Sequence, residues 1–340
     1  MAAPTSTTST PPARPWLVAD IGGTNARFGW MPEGADVAIH VRTSPTAAHT
    51  SPADAARVYL ADLHDQLGSA YRPPQAAAWA VATAVAGNEV RFTNNNWCFS
   101  RTTAQAQLGL RDLLVINDFE ALALALPHLQ ASQVRYFGGP ITGIAGAALA
   151  VIGPGTGLGV AGLVPSRQGW VAVPGEGGHA SLAAVDDFEA ALLAAVRKQY
   201  AHVSAERLLS GIGLPVLHAA VAQVMGLAEP GAQPLTARQI VEAALQRSDP
   251  VCEQTVNSFC ALLGSFAGNV ALTLGARGGV YIGGGVVPHL GDLFYASAFR
   301  QRFEDKGRFK PYLQAIPTIL VTDTLAALTG AAAALQAHRA

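Results

Sequence analysis

The chain has 340 residues, with 22 Lys+Arg against 23 Asp+Glu and charged residues making up only 13% of it. At about 100–200 residues per domain this length implies two domains or one large α/β unit, and a net charge of −1 gives no electrostatic reason to bind nucleic acid or an anionic membrane. Cys98, Cys252 and Cys260 have no CxxC spacing and leave one thiol over from any pairing, which fits a reduced cytoplasm.

Residues 1–15 are rich in Ser, Thr and Pro, with Arg14 as their one basic residue and no apolar run, so they read as a disordered tail and not a secretory signal. A strand over 16–19 runs into Asp20-Ile21-Gly22-Gly23-Thr24-Asn25, and 26–30 returns as a second strand. Helical spacing covers 52–67, and 77–84 reads as a buried strand. Asn94-Asn95-Asn96-Trp97 could border a sugar site, but reads better as a loop ending in a buried Trp. A short strand over 113–116 ends at Asn117-Asp118, with a helix over 119–125. Residues 145–164 carry no charge for twenty positions, the length of a bilayer span. Their six glycines and Pro154 predict two strands around a turn instead. Helices are expected over 186–200, 236–246 and 250–275, the apolar 260–274 lying inside the last as a core helix. A strand over 279–282 turns at Gly283-Gly284-Gly285, and 325–337 closes the chain as an Ala-rich helix.

Glycine, 35 of 340 residues, is about 10% against a usual ~7%, and it concentrates in the turns. The strand–Gly/Thr turn–strand pattern at 16–30 recurs at 148–164, where Gly155-Thr156-Gly157 turns the chain; Asp20 and Gly153 are 133 residues apart. That spacing indicates a duplicated α/β unit, with ligands expected in a cleft between the copies. Turns of this composition let backbone N–H groups converge on an anion, and Asp20 is placed to hold a hydrated Mg²⁺. None of the three lysines follows a glycine, so there is no Walker A loop. Gly157-Leu158-Gly159-Val160-Ala161-Gly162 fits GxGxxG but continues as a strand, against dinucleotide binding.

Asp118, at a strand-to-helix junction, suits either a general base or a helix cap, and the residues alone leave both open. Glu176 and His179 flank Gly177-Gly178, so both could reach one polyol; no second His supports a zinc site there. Glu206 is expected on a helix, where a solvated charge is the plain alternative. Gly283–Gly285 could admit adenine against backbone or serve only as a turn. Lys306 and Arg308 read as an exposed basic segment without chemistry.

The Asp20–Asn25 and Gly155–Gly159 loops and the Gly283-Gly284-Gly285 turn resemble the two phosphate motifs and the adenosine motif of the actin-like ATPase and sugar kinase superfamily. Within it the chain resembles the bacterial ATP-dependent glucokinases from about residue 16 onward. The resemblance rests on Asn25-Ala26-Arg27, residues 116–121 (INDFEA), 174–179 (PGEGGH), 204–211 (SAERLLSG) and 303–309 (FEDKGRF). It implies an α/β, two-lobed actin-like ATPase (ribonuclease H-like) fold with a duplicated mixed-sheet core and an interlobe cleft. The smaller lobe would span 16–125, joined by a C-terminal helix at 322–340, and the larger 126–321. It implies a homodimer without nucleic-acid or membrane partners that transfers phosphate from ATP, with Mg²⁺, to the 6-hydroxyl of glucose. Asp118 would be the catalytic base; Asn117, Asp118, Glu176, His179 and Glu206 would bind the sugar. Ala19, Asp20, Ile21, Gly22, Gly23, Thr24, Asn25, Gly155, Thr156, Gly157, Gly283 and Gly284 would bind ATP. Two alternatives stand beside it: a related kinase for another hexose or N-acetylhexosamine, whose family carries a Cys-rich zinc motif absent from 181–199, and a non-catalytic sugar sensor, for which 15 leading residues leave no helix-turn-helix.

Overall fold

The computed structural model describes residues 15–32, 35, 37–92, 95–229, 231 and 233–339. The tail expected over the first residues, up to 14, lies outside them, as do Asn94 and the last residue of the expected C-terminal helix. The chain divides into two compact units, one made of residues 1–121 and 327–340, the other of 122–326.

In the first unit, strands β1 (Trp16–Ile21), β2 (Asn25–Met31) and β3 (Ile39–Pro45) form an antiparallel meander, and β4 (Ala76–Val81) and a later strand, Asp112–Asn117, extend the sheet in parallel on the other side of β1. A small separate hairpin pairs β5 (Glu89–Arg91) with β6 (Cys98–Ser100), so Asp112–Asn117 is β7 and the sheet order is β3-β2-β1-β4-β7. β4 reads Ala-Ala-Ala-Trp-Ala-Val and is buried throughout, as expected of a strand with parallel neighbours and both faces covered. Alternation along β1 divides the packing: Leu17, Ala19 and Ile21 join α1 (Pro52–Leu67) and Trp79 in one cluster, while Val18 and Met31 meet Leu328 and Ala332 of the C-terminal helix Ala326–Arg339. α1 begins where Ser51 accepts the Asp54 N–H ahead of Pro52, a favoured helix start. α2 (Arg101–Gln107) and α3 (Asp118–Ala125) follow, and the chain leaves the first unit inside α3.

The second unit repeats the plan. β9 (Leu149–Pro154), β10 (Leu158–Ser166) and β11 (Gly169–Gly175) form the meander, β12 (Gly279–Ile282) and β13 (Thr318–Val321) add in parallel, and β8 (Val134–Gly138) closes the far edge, giving β11-β10-β9-β12-β13-β8. The order meander, first strand, two parallel strands is therefore present twice, which is the duplication expected from the 133-residue repeat. The uncharged stretch 145–164 is the β9–β10 hairpin. Helices α4 (Asp187–Arg197), α5 (Leu214–Val224), α6 (Ala237–Gln246) and α7 (Pro250–Leu274) pack on this sheet in one continuous apolar cluster. Among the described residues α7 is the one helix long and apolar enough to cross a membrane, and 72% of its most apolar window is buried inside the protein, as in a core helix.

Candidate functional site

In the first unit the parallel strands bring the candidate residues to one edge. Ile21, Val81 and Asn117 are in register at the ends of β1, β4 and β7, so the Asp20–Asn25 turn and Asn117-Asp118 lie two strand spacings apart, about 10 Å. This is the carboxyl end of the parallel strands, where open α/β sheets bind ligands. The turn is closed by the Gly22 N–H on the Asn25 carbonyl at 2.9 Å, and it is braced from behind by Thr46, whose N–H reaches the Thr24 carbonyl and whose hydroxyl reaches the Gly23 carbonyl, both at 2.9 Å. Thr46 is buried, comes from a distant segment and carries no local motif in the sequence; Asn95, from the 94–97 polar run, also donates to the Gly23 carbonyl.

Asp20 faces Arg27 across the β1–β2 register, and Arg27 donates to its carboxylate at 2.8 Å. Burial pushes the Asp20 carboxyl up from its usual range and the guanidinium partly offsets this. The hairpin register alone makes this pair legible, since Ile21 opposite Ala26 places Asp20 opposite Arg27.

At the β7–α3 junction the cap is Asn117. Its Oδ1 accepts the N–H groups of Phe119 at 2.9 Å and Glu120 at 3.3 Å, and its amide donates to the Thr83 carbonyl at 3.2 Å. The Phe119 N–H is shared with Asp118 Oδ1 at 3.0 Å. Burial also raises the Glu120 carboxyl.

In the second unit the structure brings the Gly155–Gly157 turn, Glu206 and His179 together. Glu206 Oε2 accepts the Leu158 N–H at 2.8 Å, immediately after the turn, and its Oε1 lies 3.7 Å from His179 Nε2. Glu206 is not on a helix as expected: its own N–H is taken by the Gly178 carbonyl, and Gly211 and Gly213 follow in hydrogen-bonded turns that tie Gly211 N–H to the Gly155 carbonyl at 2.7 Å. The Glu176–His179 segment lies along β10, with Glu176 bridged to Val160; a Cβ on Gly178 would meet the Leu158 carbonyl oxygen at 2.0 Å, so only glycine permits this approach. Gly283 N–H bonds the Ile152 carbonyl at 2.8 Å, and Gly284, at φ 76°, sits so close to the end of β9 that a Cβ there would be 2.4 Å from the Pro154 carbonyl oxygen. The glycine turn after β12 and the turn after β9 are thus packed backbone to backbone. The chain continues from it into α8 (Val286–Leu290), and a cavity of about 370 Å³ opens there, lined by Leu214, Ala237, Val241, Val286, Arg238 and His289. Lys306 departs from its expected exposure: it is half-buried, its Nζ donating to Ser265 Oγ of α7 at 3.1 Å.

A twice-repeated mixed sheet with a glycine hairpin turn at the head of each copy is the architecture of the two-domain actin-like sugar kinases. Within that class, a family model described as Glucokinase matches residues 17–338. A glucokinase of Aromatoleum aromaticum is 47% identical over 322 residues, covering 95% of each chain. The crystal structure of a glucokinase from an Antarctic psychrotroph superposes with a TM-score of 0.85 at 39% identity, covering 96% of this chain and 99% of its own. A glucokinase of Balamuthia mandrillaris solved in complex with glucose, 21% identical with a TM-score of 0.78, covers 98% of this chain and 96% of its own and shares the fold. The chain belongs to the glucokinase family, enzymes that phosphorylate glucose at the expense of ATP.

Proposed function

We propose that Asp118 is the general base that takes the proton of the glucose 6-hydroxyl as that oxygen bonds to the γ-phosphorus of ATP, with ADP leaving and glucose 6-phosphate formed. The observation that carries this reading is the register: Asp118 follows the end of β7 at the carboxyl edge of the parallel strands, in the row that carries the Asp20–Asn25 turn, where open α/β sheets bind ligands. A sugar hydroxyl is a weak acid, and in phosphoryl transfer the protein mainly positions the groups and stabilises charge, with one residue accepting the nucleophile's proton.

Asn117, Glu176, His179 and Glu206 contact the sugar in this reading. Acceptors and donors on adjacent hydroxyls suit a polyol, and the 3.7 Å between His179 and Glu206 supports their working as a pair. The turn spanning Ala19, Asp20, Ile21, Gly22, Gly23, Thr24 and Asn25 and the turn at Gly155, Thr156 and Gly157 lie against the phosphates; the Gly22 and Gly155 N–H groups close the turns, and other N–H groups of the turns are the donors. Gly283 and Gly284 lie against the nucleoside, whose adenine fits the apolar cavity beside Val286. The donor chemistry at Asp20 fits Mg²⁺ in a water-mediated contact: it is a hard oxygen ligand, and with one oxygen on Arg27 it is suited to a single contact through water. Mg²⁺ bound with ATP would neutralise charge on the phosphate oxygens. The enzyme is expected in the cytoplasm as a homodimer.

The test is Asp118→Asn. Turnover falls about 10²–10⁴-fold while glucose binding stays within a few-fold, measured by coupled ADP release and by glucose titration. Turnover near that of the unmodified enzyme would remove Asp118 from the role.

A further inference from the structure

The described residues hold a cluster of metal-ligand types among residues given no role above. His218 on α5, and Asp249 and Cys252 at the start of α7, place one ligand atom each within 4.8 Å of one another. Cys252 is fully buried, and His218 and Asp249 are half-buried. Asp249 caps α7 through a single oxygen, Oδ1, which accepts the N–H groups of Val251 at 2.7 Å and Cys252 at 3.1 Å. His218 Nε2 is buried without a hydrogen-bond partner among the described residues. Buried polar atoms of native proteins are nearly always satisfied, so an orphaned imidazole nitrogen beside a thiol and a carboxylate calls for a ligand.

We propose that His218, Asp249 and Cys252 form a Zn²⁺ site that fastens α5 to the first turn of α7. Imidazole, thiolate and carboxylate are the three ligand types zinc takes, and water would supply the fourth ligand. Bond lengths of ~2.0–2.3 Å in a tetrahedron separate ligand atoms by about 3.3–3.7 Å, so the cluster closes by roughly 1 Å, within side-chain rotation. One thiolate and one carboxylate cancel the charge of Zn²⁺, which lowers the cost of holding the ion in a partly buried place. Binding takes the thiol proton from Cys252 and releases it to solvent. The tie bears on stability: α5 follows the segment whose Gly211 holds the Gly155 turn, so α5 is the helix that anchors that segment.

Co²⁺ replaces Zn²⁺ and reports a thiolate ligand by a charge-transfer band in the near-ultraviolet. The exposed Cys98 is first changed to Ser so that it cannot contribute. In that full-length background Co²⁺ should give the band at one equivalent, and Zn²⁺ should abolish it. Zn²⁺ at about 100-fold over its dissociation constant should raise Tm by roughly 5–10 °C. Adding Cys252→Ser should remove the band, and adding His218→Gln should weaken metal binding at least ten-fold; His218→Gln decides the matter if the Cys252 variant fails to fold. No band and no Zn²⁺-dependent rise in Tm in the Cys98→Ser protein would overturn the site, as would a band that survives Cys252→Ser or binding indifferent to His218→Gln.

Discussion

Gly284→Ala tests whether the contact between the turns after β12 and β9 is as close as described. Two independent costs act at this position. Gly284 sits at φ 76°, where an L-residue with a Cβ pays about 1–2 kcal/mol. The new Cβ would also lie 2.4 Å from the Pro154 carbonyl oxygen, so the backbone at the end of β9 must retreat by about 0.6 Å to reach even a tight 3.0 Å contact. Overpacking of this kind costs about 1–3 kcal/mol. Together these give about 2–5 kcal/mol, and in a unit of this size Tm should fall by roughly 4–20 °C. Moving the Gly155 turn by a sizeable fraction of an ångström should lower kcat/KM for ATP by about 10–100-fold, with a smaller effect on the KM for glucose. Gly285→Ala is the control, because Gly285 has φ −87° and nothing within 4 Å of its added Cβ. Its Tm should stay within about 1–2 °C of the unmodified enzyme. The assays are thermal melts and steady-state kinetics with ATP varied at saturating glucose. A Gly284→Ala enzyme that melts and uses ATP as Gly285→Ala does would refute the reasoning.

Glu206 separates a structural from a sugar-binding role. Glu206→Ala leaves the buried Leu158 N–H without its acceptor and should cost about 1–3 kcal/mol in thermal or urea unfolding, whereas Glu206→Gln keeps an acceptor and should melt near the unmodified enzyme. Both should raise the KM for glucose; a normal KM in both would leave Glu206 only the structural task. Glu120 gives a pH signature. Its carboxyl is raised by burial, so the folded state holds this proton more tightly than the unfolded chain does, and the associated stability is present below the unfolded value of about 4.3 and lost as pH rises through the folded value. Glu120→Gln escapes that loss. Its Tm advantage over the unmodified enzyme should be positive at neutral pH and shrink as pH falls toward 4; an advantage independent of pH would contradict the burial argument.

The sheet plan was legible because its signals are local. The meander turns carry Gly/Thr clusters, β4 is a continuous apolar run, and the repeat at 133 residues shows in the turn composition itself. The β9–β10 hairpin was separable from a membrane span by the same means, since helix breakers mark it. What the sequence did not show depends on long-range contacts. Thr46 supports the first turn from 23 residues away, and Glu206 reaches Leu158 across 48. Charge composition likewise predicted an exposed Lys306, but Ser265, 41 residues earlier, supplies the partner that lets it be half-buried. Glu206 misread as helical for a related reason. Residues 204–210 have helix-compatible composition, but the Glu206 N–H is claimed by the Gly178 carbonyl, and glycines at 211 and 213 let the chain turn.

The duplication also places an acidic residue at the same strand-to-helix junction of each half, with a different neighbour beside it. In each half the last parallel strand, β7 or β13, leads into a helix through an acidic residue: Asp118 after β7, Asp323 after β13. In the second half Asp323 is engaged structurally, one oxygen taking the Leu325 N–H at 2.8 Å and the other the amide of Gln133. In the first half an asparagine precedes the aspartate, and it performs both kinds of structural contact itself: Oδ1 on the helix N–H groups and Nδ2 on Thr83. Asparagine suits this because its amide offers a donor and an acceptor without a charge, where aspartate offers acceptors alone. Placing Asn at 117 therefore moves the cap one residue back and sets a carboxylate at the carboxyl edge of the sheet, in the row that also carries the Asp20 turn. The same strand-to-helix junction thus serves as a clamp in one copy and, in the reading proposed for Asp118, as the proton acceptor in the other. Exchanging Asn117 for Ala should expose that division of labour: about 0.5–2 kcal/mol of capping energy is lost, and Asp118 is left as the nearest acceptor for the Phe119 N–H. Turnover should then fall more than stability accounts for. Unchanged turnover in a destabilised Asn117→Ala enzyme would show that Asp118 does not depend on its neighbour to keep its position.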